Sequence, residues 1–109
     1  MSSSENAISI DGLKKLMGTD QCPALVDVRR KKAFDASEKV ITGAQWRDHE
    51  TAADWAGEMP NGDVVVYCVH GHEVSQNAAA ALRAAGKQAK FLEGGIEDFI
   101  EAGGETTAK

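Results

Sequence analysis

A single cysteine stands where a strand is predicted to end and a helix to begin. The strand is Asp63–Tyr67, which is β-branched and apolar, and the helix is the Ala-rich segment 74–85, closed by Gly86. The segment between and just after them reads Cys68, Val69, His70, Gly71, His72, Glu73, Val74, Ser75. Loop N–H groups and the helix dipole would converge on the sulfur and stabilise a thiolate, the nucleophilic form of cysteine.

The same N–H groups would bind an anion such as thiosulfate or phosphate. Gly71 allows the backbone conformations that such a loop needs, and Ser75 can cap the helix or bond to the sulfur. Free cysteine is also among the most buried residue types. On chemistry alone, a reactive Cys68 and a merely buried one are equally open.

His70 and His72 can donate hydrogen bonds to a bound anion or to a sulfur carried on Cys68, or they project into solvent from an exposed loop. Glu73 would repel an anion, but its charge suits a helix N-terminus. Two histidines near a cysteine and a glutamate also resemble half of a zinc site. No second ligand cluster completes a tetrahedral set, so we predict no metal site.

The second cysteine, Cys22, precedes Pro23 and the predicted strand Ala24–Val28. The beginning of a strand lies at the opposite edge of a parallel sheet from a site at the strand ends. Five residues of strand separate the two edges by roughly 15 Å, too far for a disulfide. We therefore predict no role for Cys22 as a resolving thiol.

Short strands and helices alternate along the chain, which predicts an α/β fold with a parallel sheet and helices on both faces. In such a sheet, ligands bind beyond the carboxyl ends of the strands, where Cys68 falls. The pattern further predicts a strand over 7–10, a helix capped by Asp11, a helix capped by Asp48 and a turn over 60–63. We expect one domain over residues 7–103, with disordered tails over 1–6 and 104–109.

Composition excludes several functional classes. The chain has 109 residues, a net charge of -5, 42% hydrophobic and 27% charged residues. This is the balance of a globular protein, and it offers no basic face for nucleic acid. No apolar run suits a membrane span, and the first residues do not read as a signal peptide. We expect a cytoplasmic protein; its oligomeric state is left open.

An ordered set of short motifs resembles the single-domain rhodanese family of sulfurtransferases. The matching pieces follow the family's order and spacing: Leu25-Val26-Asp27-Val28-Arg29, Gly43-Ala44, Val66-Tyr67-Cys68-Val69-His70-Gly71, Ala78-Ala79-Ala80-Ala81-Leu82 with Gly86, and Leu92-Glu93-Gly94-Gly95-Ile96. The resemblance implies a five-stranded parallel α/β fold. It also implies that Cys68 takes the outer sulfur of thiosulfate as a persulfide and passes it to cyanide or a thiol. Asp27 and Arg29 match the family's Asp-x-Arg and are expected to support the site loops.

The loop length departs from the family pattern. Most rhodaneses have a six-residue loop closed by Ser or Thr, whereas closure by Ser75 would make the segment from Cys68 to Val74 seven residues long. Seven is the length in related phosphatases and arsenate reductases, which need an Arg at the position of Val74 to grip the oxyanion. An oxyanion-handling relative and a non-catalytic interaction or sulfur-relay module therefore remain as alternatives.

Overall fold

The computed structural model describes residues 6–59 and 62–109. Its strands are β1 (Ala7–Ile8), β2 (Ala24–Asp27), β3 (Lys39–Ile41), β4 (Gln45–Trp46), β5 (Asp63–Tyr67), β6 (Gln88–Leu92) and β7 (Thr106–Ala108). Its α-helices are α1 (Ile10–Leu16), α2 (Lys31–Ala36), α3 (Ala52–Trp55), α4 (Glu73–Ala84) and α5 (Gly95–Glu101). Short 3₁₀ turns flank α3 at His49–Thr51 and Ala56–Glu58.

Five strands form one parallel sheet in the order β1-β6-β5-β2-β4. The central strand β5 alternates its side chains between two cores. Val64 and Val66 pack with α3 and α4 on one face, whereas Val65 and Tyr67 pack with residues of α1 and α5 on the other. Helices thus cover both faces, and the predicted fold class is confirmed.

The parallel register places the ends of β2 and β5 side by side. Val26 pairs with Val66 and Asp27 with Tyr67, so Asp27 and Tyr67 end their strands at the same level. The segments that follow both strands therefore leave the sheet at one edge. This edge carries Cys68.

The predicted strand over 7–10 with its helix cap and the predicted helix after Asp48 need correction. The predicted strand over 7–10 ends at Ile8, because Ser9 is already the N-cap of α1. The Ser9 side chain accepts a hydrogen bond from the Gly12 N–H, so Ser9 and not Asp11 caps this helix. Asp48 does cap a helical segment, but this opens as a 3₁₀ turn. Pro60 and Asn61 of the predicted turn lie outside the described residues, as do residues 1–5 of the predicted N-terminal tail.

The prediction of a disordered tail over 104–109 is wrong for its last part. Thr106–Ala108 forms β7, which pairs antiparallel with β3. The Lys109 ammonium also donates to the carbonyl of Phe34 (2.5 Å) and lies 4.1 Å from the centre of that ring. Two β-branched threonines favour a strand once a partner edge is available, and only the tertiary structure supplies β3 as that partner.

No helix in the described part of the chain combines the length and apolarity that crossing a membrane would need.

Candidate active site

Cys68 lies directly after β5, with 6% of its surface exposed. Its thiol donates a hydrogen bond to the hydroxyl oxygen of Ser75, 3.2 Å away in the first turn of α4. Ser75 is fully buried. If the sulfur loses its proton, the same hydroxyl can reverse its role and donate to the thiolate. The strand and the helix thus bring the Cys68 thiol and its hydrogen-bond partner together from opposite ends of one loop.

The N-terminus of α5 holds the beginning of this loop. The Ile96 N–H donates to the carbonyl of Cys68 (3.0 Å), and the Glu97 N–H donates to the carbonyl of Val69 (3.1 Å). These N–H groups belong to the first turn of α5 and have no acceptor within their own helix. The contacts turn the first two loop carbonyls toward α5 and away from the loop's interior.

Gln76 holds the other half of the loop. Its side-chain amide donates to the carbonyl of Gly71, and its backbone N–H donates to the carbonyl of His72, both at 3.1 Å. Together with the α5 contacts, four of the five carbonyls from Cys68 to His72 accept hydrogen bonds from outside the loop.

The loop's N–H groups differ from its carbonyls. Within the described residues, no backbone N–H from Val69 to Ser75 donates a hydrogen bond to another backbone or side-chain group. Seven consecutive donors without a protein partner, followed by a twelve-residue helix, place partial positive charge next to the sulfur. The arrangement can bind an oxyanion and can stabilise negative charge on Cys68.

Two glycines allow this close packing. A Cβ on Gly95 would lie 2.4 Å from the carbonyl oxygen of Val69, and one on Gly71 would lie 2.7 Å from the backbone of Leu92 and Gly94. Both glycines also have positive φ, +65° and +75°. Gly95 therefore lets α5 approach the loop backbone directly.

A pocket of about 290 Å³ opens over Cys68. One wall comes from the segment after β2 and from α2, and the other comes from the loop and the first turn of α4. Its lining residues are Arg29, Arg30, Ala33, Cys68, Val69, His70, His72, Glu73 and Val74. All loop residues predicted from the sequence line this pocket except Gly71 and Ser75, which are buried beneath it.

Asp27 and Arg29 form a buried ion pair at the first wall. The Arg29 guanidinium contacts both carboxylate oxygens of Asp27, through Nε at 3.0 and 2.9 Å and through Nη2 at 2.7 Å. Nη2 also donates to the carbonyl of Lys39 (3.0 Å), and the Trp46 indole N–H donates to the carbonyl of Arg29 (2.8 Å). The contacts with Lys39 and Trp46 tie the segment after β2 to neighbouring segments of the same edge, and the supporting role implied for Asp27 and Arg29 stays a prediction.

Tyr67, the residue before the nucleophile, joins this scaffold. Its hydroxyl oxygen accepts a hydrogen bond from the Ile41 N–H at 3.1 Å. Burial, reinforced by the nearby charge of Asp27, raises the pKa of Tyr67 far above its ordinary value. The phenol is therefore neutral at all physiological pH values and acts as a fixed hydrogen-bonding group.

His70 and His72 are exposed at the mouth of the pocket, with ring centres 6.0 Å apart. The rings thus reach solvent and also line the pocket, and their donation to a bound anion or to a sulfur carried on Cys68 stays a prediction. Among residues 6–59 and 62–109, no three His, Cys, Asp or Glu side chains form a group that could hold a metal ion.

Cys22 is exposed and free, whereas Cys68 is buried and free. The register places Cys22 before Ala24, which pairs with Val64 at the opening of β5. The two cysteines are therefore about six residues apart along the sheet, or roughly 20 Å.

The loop that begins at Cys68 ends at Ser75, and its last residues are helical. Ser75 is the hydroxyl that meets the sulfur, so seven residues from Cys68 to Val74 precede the closing residue. The last two of them, Glu73 and Val74, already belong to α4. Val74 is half-buried; it packs against the core of that face and also lines the pocket.

Two contributors to the site were not predicted from the sequence. The N-terminus of α5 and Gln76 both hold loop carbonyls, and neither was expected to have a role in the site. A signal for the first existed in Gly94-Gly95, since adjacent glycines before a helix favour a close backbone approach. Gln76 gave no comparable signal, because a polar residue in the first turn of a helix is ordinary.

Comparison with known proteins agrees with this geometry. The profile of the rhodanese-like domain family matches residues 9–102. The chain belongs to the rhodanese-like domain family. No match among curated proteins was found.

Solved structures show the same fold. A full-length protein from Lactobacillus plantarum is similar with a TM-score of 0.88 and 22% identity, covering 99% of this chain and 92% of its own. The rhodanese-like domain of an Anabaena protein has a TM-score of 0.80 and 27% identity, covering 96% and 80%. A Rhodopseudomonas palustris protein of unknown function, described as a possible tyrosine phosphatase, has a TM-score of 0.79 and 21% identity, covering 96% and 86%.

Proposed function

We propose that this rhodanese-like protein is a sulfurtransferase in which Cys68 carries sulfur as a persulfide. The observation that carries the proposal is the buried Cys68 thiol, bonded to Ser75, beneath a loop whose seven N–H groups from Val69 to Ser75 are unused. A nucleophilic sulfur and an anion-binding cradle then occupy the same pocket. The family membership supports sulfur transfer in general, and the choice of thiosulfate as donor is our own.

The first half-reaction loads the cysteine. The Cys68 thiolate attacks the outer sulfur of thiosulfate, the sulfur–sulfur bond of the donor breaks, and sulfite leaves with the bonding electron pair. Loop N–H groups stabilise the sulfonate oxygens before and during the step. The resulting Cys68 persulfide is anionic, so the same N–H groups and the Ser75 hydroxyl can hold it.

The second half-reaction unloads it. Cyanide or a thiolate attacks the outer sulfur of the persulfide, the bond to the Cys68 sulfur breaks, and Cys68 leaves as a thiolate. Cyanide becomes thiocyanate, and a thiol becomes a persulfide. Neither half-reaction requires a metal, an organic cofactor or an external electron donor.

Phosphoryl transfer is the nearest alternative, because the segment before Ser75 has seven residues and one similar structure is described as a possible tyrosine phosphatase. A phosphatase of this kind places an Arg on the equatorial oxygens, whereas this chain has Val74 there. Arg29 cannot substitute freely, since its guanidinium is bound to Asp27. We therefore place sulfur transfer first.

Intact-protein mass after incubation with thiosulfate tests the proposal. We expect a gain of one sulfur atom on the wild type, and loss of that gain when cyanide is added. A protein that never gains the sulfur contradicts the proposal. A protein that gains it but gives nothing to cyanide or small thiols favours the sulfur-relay alternative.

A further inference from the structure

The pocket over Cys68 is larger than the proposed donor requires. Thiosulfate has five non-hydrogen atoms. One water molecule occupies about 30 Å³ in the liquid, and each of these five atoms needs no more than that. Thiosulfate therefore fills at most about half of the 290 Å³ pocket. The volume lies near the lower end of the range for organic ligands. The remaining space can accept the carbon skeleton of a small acceptor.

The two walls of the pocket carry opposite charges that are not paired elsewhere. Arg30 lies on the α2 side and Glu73 on the α4 side, and both are exposed. Within the described residues, neither Arg30 nor Glu73 makes a side-chain ion pair or hydrogen bond. Arg29 also lines the pocket, but its charge is neutralised by Asp27. The pocket therefore offers one cation and one anion to a ligand.

Apolar side chains line the same pocket. Ala33 lines the pocket on the α2 side, and Val69 and Val74 line it on the loop side. Short aliphatic carbon suits this lining better than a bare inorganic ion does. A ligand that matches both walls has a short apolar stem, a carboxylate and an ammonium group.

We propose that the physiological acceptor is a small zwitterionic thiol of the amino-acid type, whose carboxylate pairs with Arg30 and whose ammonium pairs with Glu73. This inference rests on the proposed function, because it names the acceptor of the same Cys68 persulfide. The acceptor thiolate attacks the outer persulfide sulfur, Cys68 leaves as a thiolate, and the acceptor departs as its own persulfide. No other oxidant or reductant takes part.

Discharge of pre-loaded protein tests the inference separately from loading. The protein is loaded with thiosulfate, loading is verified by mass, and the free donor is removed. Discharge is then timed with cysteine, mercaptopropionate (carboxylate only), cysteamine (ammonium only) and mercaptoethanol (uncharged). Rates are compared at equal thiolate concentration and divided by the mercaptoethanol rate of the same variant, which cancels changes in Cys68 itself.

We expect Arg30→Gln to lower the relative rates of cysteine and mercaptopropionate about two- to five-fold and to leave cysteamine unchanged. Glu73→Gln should lower cysteine and cysteamine by a similar factor and leave mercaptopropionate unchanged. Lys32→Gln is the matched control, because Lys32 is exposed on α2 but does not line the pocket. It should leave all ratios unchanged.

The inference would be overturned if the four thiols had equal relative rates in the wild type and in both pocket variants. The proposed sulfur transfer would not be affected by that result. An equal effect of Lys32→Gln would also overturn it, because the charge preference would then be a general surface effect. Failure of the wild type to load with sulfur would instead contradict the proposed function.

Discussion

Two pockets of nearly equal volume lie at opposite ends of the same sheet. The pocket over Cys68 measures about 290 Å³ at the carboxyl ends of the strands, and the other measures about 300 Å³ at the amino ends. Each has a free cysteine nearby, since Cys22 precedes Pro23, which lines the second pocket. Volume and a nearby thiol do not distinguish the two regions.

The difference lies in how the backbone meets each pocket. At the amino end, the lining includes the first residues of β5 and β6, Asp63 and Gln88, whose strands pair with each other in the sheet. The Arg83 cation there is already bonded to the carbonyl of Ala89 (3.0 Å). At the carboxyl end, the seven N–H groups from Val69 to Ser75 have no partner within the described residues, whereas four of the five carbonyls from Cys68 to His72 are held from outside the loop. A chemical site therefore requires unpaired polar groups that converge, and a cavity alone is not enough.

The two cysteines provide the largest expected contrast. Cys68→Ser should abolish sulfur transfer with little change in melting temperature, because Ser has a similar volume and cannot form a persulfide. Cys22→Ser is the matched change at the other pocket and should leave turnover nearly unaltered. Thiosulfate-to-cyanide turnover measures both. Comparable losses in the two variants would contradict the distinction and favour a two-thiol reductase.

Val74→Arg sharpens the comparison with the phosphatases. An Arg at this pocket-lining position supplies charge-assisted hydrogen bonds of about 1.5–3 kcal/mol, so phosphate binding should tighten roughly ten- to a hundred-fold. The melting temperature should fall, since Val74 also packs against the core. Titration calorimetry with phosphate and a thermal melt measure the two effects. A lower melting temperature without tighter binding would show that position 74 serves only the helix.

Gly95→Ala should damage the active-site loop while leaving the amino-end pocket intact. The new methyl would meet the carbonyl oxygens of Val69 and Cys68 at 2.4 and 2.5 Å, so the loop backbone has to move. We expect at least about a tenfold loss of turnover, because a displacement of 1 Å can cost about a hundredfold. Gly57→Ala is the control, since nothing lies within 4 Å of its Cβ position. Circular dichroism separates loop damage from unfolding, and full activity in folded Gly95→Ala would contradict the proposed contact.

The phenol beside the nucleophile gives a pH-dependent test. The pKa of Tyr67 is raised by burial, so the unfolded chain releases this proton near pH 10 while the folded chain keeps it. Its contribution to stability is complete below pH 10 and is lost above it, at up to about 1.4 kcal/mol per pH unit. Tyr67 is the only tyrosine, so phenolate absorbance reports on it alone. Phenolate absorbance that appears near pH 10 in the folded protein would contradict the burial of Tyr67. The Tyr67→Phe variant should show a weaker dependence of the unfolding free energy on pH above pH 10.

Gln76→Glu should produce the smallest effect. The substitution replaces the amide donor to the Gly71 carbonyl with a carboxylate, which repels that carbonyl and loosens the loop apex. We expect a two- to five-fold loss of turnover, which corresponds to one hydrogen bond of about 0.5–1 kcal/mol. Asn77→Asp adds the same charge one residue later, at an exposed position. Equal losses in both variants would show that charge, rather than the lost hydrogen bond, is responsible.

Local sequence patterns determined the elements and the position of the nucleophile. The β-branched run before Tyr67 forms a strand, and the alanines after Ser75 form a helix, because these preferences act over neighbouring residues. Alternation of strands and helices then allows few topologies, and in a parallel sheet these place Cys68 at the carboxyl edge. Ser9 was assigned to a strand because a strand pattern and a cap pattern compete at that residue. β7 was not predicted because it forms only by pairing with the distant strand β3.

Only the tertiary structure decided what surrounds the sulfur. Whether Cys68 is merely buried or lies beneath an anion cradle depends on where the loop carbonyls point, and Ile96, Glu97 and Gln76 set that direction. The α5 donors are more than 25 residues away along the chain, and the opposite wall with Arg30 precedes the loop by 38 residues. Propensities extend over a few residues, whereas hydrogen bonds between distant segments exist only after the sheet has brought their ends together.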